Sequence, residues 1–143
     1  DEICAAILRM IEKEKMVAEG AGAVSVAAAM FNKLPLQGKK TVCLVSGGNI
    51  DVTILNRVIN RGLEKDGRIC RMTMEIDDKP GQLLMATQVI AGLGANVLSV
   101  NHERSAYSDK INACEISMKL ETRNSDHVQQ IKEALLKKGF NLK

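Results

Sequence analysis

The short segment at residues 46–49, with the sequence SGGN, contains the residue types in this chain that most suggest chemistry. It follows the apolar run at residues 42–45 and precedes a segment of helical periodicity, which predicts a strand–loop–helix unit. Ser46 would then place a hydroxyl at the carboxyl end of the strand, where ligands bind in open α/β sheets. Gly47 and Gly48 would let a ligand approach the backbone closely. The segment is therefore predicted to form one edge of a binding site.

The first 67 residues show a pattern of alternating helices and short strands. Helices are predicted at residues 3–11, 21–31 and 50–65, and brief buried strands at residues 16–18 and 41–45. The Asp66-Gly67 pair should end the third helix. This is βα architecture, but it is too small to be a whole parallel sheet.

The remaining residues, 68–143, follow a different order of elements. Strands are predicted at residues 68–76, 97–104 and 111–122, with a turn at residues 107–110 and a short last strand at residues 140–142. Two helices are expected, one beginning at Asp78-Lys79-Pro80 with Leu83 and Leu84 facing inward, and one capped by Ser125. The resulting βαββαβ order is the ferredoxin-like, α+β arrangement.

The pair of motifs AEGAGA (residues 18–23) and SGGN, in this order, resembles the last part of the catalytic domain of fold-type II pyridoxal-phosphate (PLP) enzymes, the threonine/serine dehydratases. The resemblance implies that Ser46 hydrogen-bonds the pyridine nitrogen of PLP, with Gly47 beside it. Glu19 would point into the cofactor site or be a helix-terminal acid. Asn49 would contact the cofactor or, as the favoured interpretation, cap a helix that begins at Ile50.

The rest of that family's cofactor site has no counterpart in the sequence. The chain has neither the family's run of glycines, whose backbone N–H groups bind phosphate, nor a lysine in the family's context for anchoring PLP. It also begins at Asp1 within a predicted helix. We therefore expect a C-terminal fragment that lacks the catalytic lysine, so that the parent enzyme would bind PLP and this chain alone would not.

A second resemblance covers residues 68–143. The segments DDKPGQL (residues 77–83) and LGANV (residues 93–97), placed at these junctions, resemble the ACT domain, a small regulatory module that binds amino acids. This resemblance implies a homo-oligomer with an amino-acid effector bound at the subunit interface. The effector would contact one loop of one subunit and a segment of the neighbouring subunit. The implied residues are Pro80, Gly81, Gln82 and Leu83 in the loop, and Asn96 and Val97 in the segment. The alternative is a domain that only pairs sheets and binds no ligand.

Composition excludes several classes of partner. A net charge of +3, spread along the chain, gives no reason to expect nucleic-acid binding, and no apolar run approaches the roughly 20 residues that span a membrane. The four cysteines lack CxxC spacing, which favours buried free thiols in a reducing cytoplasm, with no metal site expected and zinc binding as the remote alternative. His102 is expected to be a packed or surface residue, and His127 to face solvent.

Both resemblances together favour the C-terminal part of a threonine ammonia-lyase, with residues 1–67 as the tail of the PLP domain and residues 68–143 as the ACT domain. That family eliminates the β-hydroxyl of threonine to give 2-oxobutanoate and ammonia. The alternatives are a freestanding amino-acid sensor or dimerisation module formed by residues 68–143, or a related serine dehydratase or racemase. The sequence leaves open which effector binds, whether isoleucine, valine or serine, and whether it inhibits.

Overall fold

The computed structural model describes residues 1–104 and 113–143, so the turn predicted at residues 107–110 lies outside the described residues. The chain divides into two compact units, Asp1–Asp66 and Gly67–Lys143. No helix within the described ranges is long and apolar enough to cross a membrane.

The first unit consists of three helices joined by irregular segments. They are α1 (Glu2–Arg9), which continues as a π-helical turn over Met10–Glu14, α2 (Val24–Met30) and α3 (Val52–Lys65). Helix α1 contacts both of the others. Its approach to α3 is close because Gly62 has no side chain: a Cβ there would lie 3.0 Å from the Cys4 carbonyl oxygen. The small core of this unit contains Ile7, Met10, Ala18 and Ala23.

The two strands predicted in this unit, at residues 16–18 and 41–45, are absent, and both segments are irregular. A strand persists only where a neighbour completes its hydrogen bonds, and in the described residues no strand pairs with either segment. Val42 and Leu44 are 96% and 78% exposed, so the apolar run is not buried in this unit. The segment is held instead by the Ser25 hydroxyl, which donates to the Leu44 carbonyl oxygen at 2.8 Å.

The starts of two helices differ from the predictions. Helix α2 begins at Val24 rather than residue 21, because residues 20–23 form a turn. Helix α3 is capped by Asp51, whose carboxylate accepts hydrogen bonds from the backbone N–H groups of Thr53 at 2.7 Å and Ile54 at 3.2 Å. The prediction that Asn49 caps this helix is therefore wrong. Hydrogen bonds from the Thr53 hydroxyl and from these N–H groups lower the pKa of Asp51.

The second unit has the predicted βαββαβ order. Its elements are β1 (Ile69–Asp77), α4 (Gln82–Gly92), β2 (Asn96–Glu103), β3 (Ala113–Glu121), α5 (Ser125–Lys137) and β4 (Asn141–Leu142). The strands form one antiparallel sheet in the order β2-β3-β1-β4. The predicted α+β class is confirmed, and strands β1, β2 and β4 begin and end within one or two positions of the predictions. Helix α4 differs more, because it begins at Gln82 rather than at residues 78–80.

The core of this unit lies between one face of the sheet and the two helices. Alternate residues of β1 and β3 are buried, as predicted from their period of two, together with Ala86 and Ile90 of α4 and Ile131 and Leu135 of α5. Leu83 and Leu84 were expected to face inward but are exposed. Leu84 is two positions from Ala86, which places it on another face of the helix, and Leu83 lies in the first turn, beside a surface cavity.

The prediction that His127 faces solvent is wrong, because this side chain is only 2% exposed. Its Nδ1 accepts a hydrogen bond from the backbone N–H of Arg123 at 3.1 Å, so Nε2 carries the proton and donates to the Leu93 carbonyl oxygen at 3.0 Å. The cap of α5 is also not Ser125 but Asn124, whose side chain accepts from the His127 N–H. His127 thus connects the end of α4 to the start of α5.

Candidate functional site

The AEGAGA and SGGN motifs, which are far apart in the sequence, lie against each other in the first unit. The backbone N–H of Glu19 donates to the Gly47 carbonyl oxygen at 3.2 Å. A Cβ added to Gly22 would overlap the carbonyl oxygen of Ser46, and one added to Gly48 would lie 3.0 Å from the Val17 carbonyl oxygen. The two segments are therefore packed backbone to backbone, which only glycine permits at Gly22.

Gly47, which lies against the Glu19 side chain, requires glycine because of its backbone conformation. Its φ of +78° is in the left-handed region, which residues with a Cβ rarely adopt. A Cβ there would also lie 2.6 Å from the Glu19 Oε1 atom. The half-buried carboxylate of Glu19 thus lies directly beside the glycine loop, to which the Glu19 backbone N–H is hydrogen-bonded.

The predicted cofactor residues Glu19, Ser46 and Gly47 are thereby brought together, with Asn49 two residues farther along the loop. Ser46, Gly47 and Asn49 are exposed, so the Ser46 hydroxyl is accessible to a ligand and can donate or accept a hydrogen bond. Ser46 offers a neutral hydroxyl, and Gly47 and Gly48 after it have no side chains that would obstruct a ligand. This loop therefore fits the edge of a flat heteroaromatic ring such as that of PLP. The arrangement can recognise one edge of the ring, but it contains no group that could anchor the cofactor covalently.

The second unit has a different candidate site at the end of the sheet where β1 leads into α4. A cavity of about 350 Å³ opens there and is lined by Pro80, Gly81 and Leu83, three of the predicted effector residues. Gln82 lines a neighbouring, smaller cavity. Helix α4 begins only at Gln82, so Pro80 precedes the helix instead of occupying its first turn as predicted, and Gly81 is the N-cap with a φ of +91°.

Charges of both signs surround this cavity. Asp77 forms an ion pair with Lys79 at 2.9 Å, and the Asp78 carboxylate forms one with the Arg104 guanidinium at 2.9 Å. A zwitterionic amino acid carries one ammonium and one carboxylate group, and each would find groups of opposite charge here. The cavity is thus chemically suited to a small amino acid.

Two more side chains line this cavity, and nothing in the sequence indicates that they meet. His102 of β2 and Cys114 of β3 face each other, with 3.0 Å between Nε2 and Sγ. Burial, reinforced by the negative charge of Asp78, raises the pKa of the Cys114 thiol. This contact depends on the register between β2 and β3, in which His102 lies opposite Ile116. The spacing of residues in the sequence cannot predict such a register where the hairpin length is uncertain.

The other predicted effector residues, Asn96 and Val97, lie at the opposite end of the sheet from the cavity. Asn96 pairs with Glu121 at the end of β3, whereas the cavity is beside the start of β3. The Asn96 amide donates to the Glu121 carboxylate at 3.4 Å. One chain therefore does not bring the two predicted halves of the effector site together, and their meeting across two subunits stays a prediction.

Comparison with known proteins supports the first resemblance. The chain is 47% identical over all 143 residues to an L-threonine ammonia-lyase of Thermotoga maritima and 39% identical over 140 residues to one of Geobacter sulfurreducens. The chain is similar to proteins named L-threonine ammonia-lyase along 100% and 98% of its own length. It matches the C-terminal part of these relatives and spans about a third of their length, 35% in both cases.

A less similar relative is the L-threonine dehydratase biosynthetic IlvA of Halalkalibacterium halodurans, which is 28% identical over 139 residues. No protein-family model matches the chain. The prediction of a threonine dehydratase relationship, drawn from two short motifs, is confirmed by these alignments along the chain, whereas the roles of individual residues stay predictions.

Proposed function

We propose that this chain is the C-terminal part of a PLP-dependent threonine ammonia-lyase that converts L-threonine to 2-oxobutanoate and ammonia. The observation that carries the proposal is the identity of 47% along the whole chain to a protein of that name. The packing of Glu19 and Gly22 against the SGGN loop agrees with it, because this packing forms a defined edge for a ligand in the first unit. PLP, when bound, supplies the electron sink that the elimination requires.

In this proposal Ser46 binds the pyridine nitrogen through its hydroxyl. Because the hydroxyl is neutral, Ser46 does not hold a proton on that nitrogen as a carboxylate would, and this favours rapid elimination over transamination. Glu19 positions the loop through its backbone hydrogen bond to Gly47, and its carboxylate borders the same site. Asn49, free of the capping role, is available to the cofactor. The lysine that anchors PLP would lie in another part of the enzyme.

Replacing Ser46 by alanine in the full-length enzyme tests this role. The variant loses one hydrogen bond, worth about 0.5–1.5 kcal/mol, so turnover should fall by roughly 2- to 13-fold without loss of folding. Formation of 2-oxobutanoate measures turnover, and circular dichroism measures folding. Thr41→Ala removes a hydroxyl from an exposed position of the same segment and should leave turnover unchanged. If Ser46→Ala and the parent have equal turnover and equal PLP affinity, Ser46 does not contribute to the cofactor site.

We further propose that the second unit is an ACT-type regulatory domain that binds a small amino acid in a homo-oligomer. The mixed charges and the volume of the cavity beside Gly81 support the ligand. The exposed edge strand β2 supports the oligomer, since Leu98 and Val100 present apolar surface and the outer edge of β2 pairs with no described strand. A second copy would place its own Asn96 and Val97 near the cavity of the first.

The variant Gly81→Val tests the effector site. Gly81 has a φ of +91°, which a β-branched residue cannot adopt without strain, so the loop must change conformation and amino-acid binding should be lost. Calorimetry of the chain with isoleucine, valine, threonine and serine measures this. Gly92→Ala is the matched control, because a Cβ there meets nothing within 4 Å and its φ is not left-handed. If the unmodified dimeric chain binds none of these amino acids at millimolar concentration, the second unit is an assembly module and the sensing role is wrong.

A further inference from the structure

Three potential metal ligands meet at the cavity of the second unit, each from a different element. Asp78 follows β1, His102 is near the end of β2, and Cys114 is the second residue of β3. A carboxylate oxygen, an imidazole nitrogen and the thiol sulfur all lie within 4.8 Å of one another, with 3.0 Å between His102 Nε2 and Cys114 Sγ. The sheet register alone brings these residues together.

These distances are close to those of a tetrahedral zinc site. Bonds of about 2.3 Å to sulfur and about 2.0–2.2 Å to nitrogen and oxygen place ligand atoms roughly 3.4–3.6 Å apart. The three atoms found here would have to shift by on the order of 1 Å to reach that geometry. Asp78 and His102 are exposed and can rotate, whereas Cys114 is 1% exposed and held by its strand.

We propose that Asp78, His102 and Cys114 form a binding site for Zn²⁺ or a similar transition-metal ion, with the fourth position open toward the cavity. A thiolate and an imidazole select zinc-like ions over Mg²⁺ and Ca²⁺, which require oxygen ligands. The thiolate and the carboxylate together balance the charge of a divalent ion. On binding, Cys114 releases its proton to solvent and forms a bond from sulfur to the metal, with no change of oxidation state.

Arg104 competes with the metal for Asp78. Its guanidinium contacts both carboxylate oxygens, with Nε 2.9 Å from Oδ2 and Nη2 3.3 Å from Oδ1. Because the Arg104 side chain is 77% exposed, it can move into solvent when an ion takes its place. Removing this competitor and its positive charge should therefore strengthen metal binding, an effect that a simple hydrogen bond between His102 and Cys114 does not predict.

Titration of the 143-residue chain with Co²⁺ tests the site, since Co²⁺ bound to a thiolate shows charge-transfer absorption in the near ultraviolet. We expect one ion per chain. Cys114→Ser should abolish the thiolate absorption. His102→Ala and Asp78→Asn should each weaken Co²⁺ binding by more than about tenfold, because losing even a residue that only hydrogen-bonds to a metal ligand lowers metal affinity by about 10- to 100-fold. Arg104→Ala should bind more tightly than the unmodified chain. Cys70→Ser is the control, because Cys70 is near the other end of β1 and opposite Leu120.

Three results would overturn the proposal: no Co²⁺ binding by the unmodified chain, thiolate absorption that persists in Cys114→Ser, or equal affinity in His102→Ala and the unmodified chain. Cys114 is buried, so its variant could lose stability and thereby lose binding. The exposed positions His102 and Asp78 do not have this problem, and circular dichroism of each variant verifies the fold. Competition by Zn²⁺ for bound Co²⁺ then compares the two ions at the same site.

Discussion

Gly22→Ala should reduce the activity of the full-length enzyme by about 100-fold, the cost of a displacement of about 1 Å near the reacting groups. The alanine Cβ would overlap the carbonyl oxygen of Ser46, and a backbone oxygen cannot rotate away as the end of a long side chain could. The SGGN loop must therefore move, and Ser46, Gly47 and Asn49 all move with it, so the loss should exceed that of removing the Ser46 hydroxyl alone. The same overpacking should lower the free energy of unfolding by about 1–3 kcal/mol.

The same motif supplies a matched control. A Cβ at Gly20 would meet nothing within 4 Å, and neither Gly20 nor Gly22 has a left-handed φ, so the two substitutions differ only in the space available. Gly20→Ala should change stability by less than about 0.5 kcal/mol and leave activity intact. Urea unfolding followed by circular dichroism gives the stability, and 2-oxobutanoate formation gives the activity. If both alanine variants are as active as the parent, the contact between the two motifs does not position the site.

The sequence predicted the second unit well because its signals are local and repeated. Alternation along β1 and β3 identified the buried face, and glycines marked the helix ends at Gly94 and Gly139, both of which have positive φ. The errors there concern residues whose surroundings come from elsewhere in the chain. His127 has the sequence context of an exposed helix start, but its ring is buried and hydrogen-bonded to the Arg123 N–H and to the Leu93 carbonyl oxygen.

The first unit was harder to predict for a related reason. The apolar run at residues 42–45 has the composition of a buried strand, but a strand forms only with neighbours, and none is described beside it. Helix α3, by contrast, was predicted almost to its ends, because its periodicity and its terminal Asp66-Gly67 pair are encoded locally. The composition of a segment therefore indicates which secondary structure it prefers. Whether a strand forms depends on the neighbouring strands available in the fold.

The candidate sites also differ in how far the sequence predicts them. Motif order predicted that Glu19 and Ser46 share a site, and the structure brings their segments into contact. The group formed by Asp78, His102 and Cys114 was not predicted, because no spacing in the sequence relates a loop and two strands whose register is unknown. The missing information is the pair of registers that place Cys114 opposite Ile76 and His102 opposite Ile116.

His127→Ala should destabilise the second unit by roughly 3–5 kcal/mol, the range for removing a large buried side chain. The substitution leaves a cavity and removes the partners of the Arg123 N–H and the Leu93 carbonyl oxygen, and an unsatisfied buried polar group costs about 1–3 kcal/mol. This loss is comparable to the whole stability of a small domain, typically about 5–15 kcal/mol. Urea unfolding followed by circular dichroism should therefore show a midpoint far below that of the parent.

Two further variants separate the hydrogen bonds of His127 from a general effect on helix α5. Gln129→Ala lies on the same helix, is exposed and removes only a bond to Glu133, so its midpoint should match that of the parent. His127→Gln keeps an N–H donor within reach of the Leu93 carbonyl oxygen and should recover part of the lost stability. Since Leu93 is the first residue of the segment at residues 93–97, which contains Asn96 and Val97, loosening Leu93 should also weaken amino-acid binding in a dimer. A midpoint for His127→Ala equal to that of Gln129→Ala would show that the buried imidazole does not hold the two helices together.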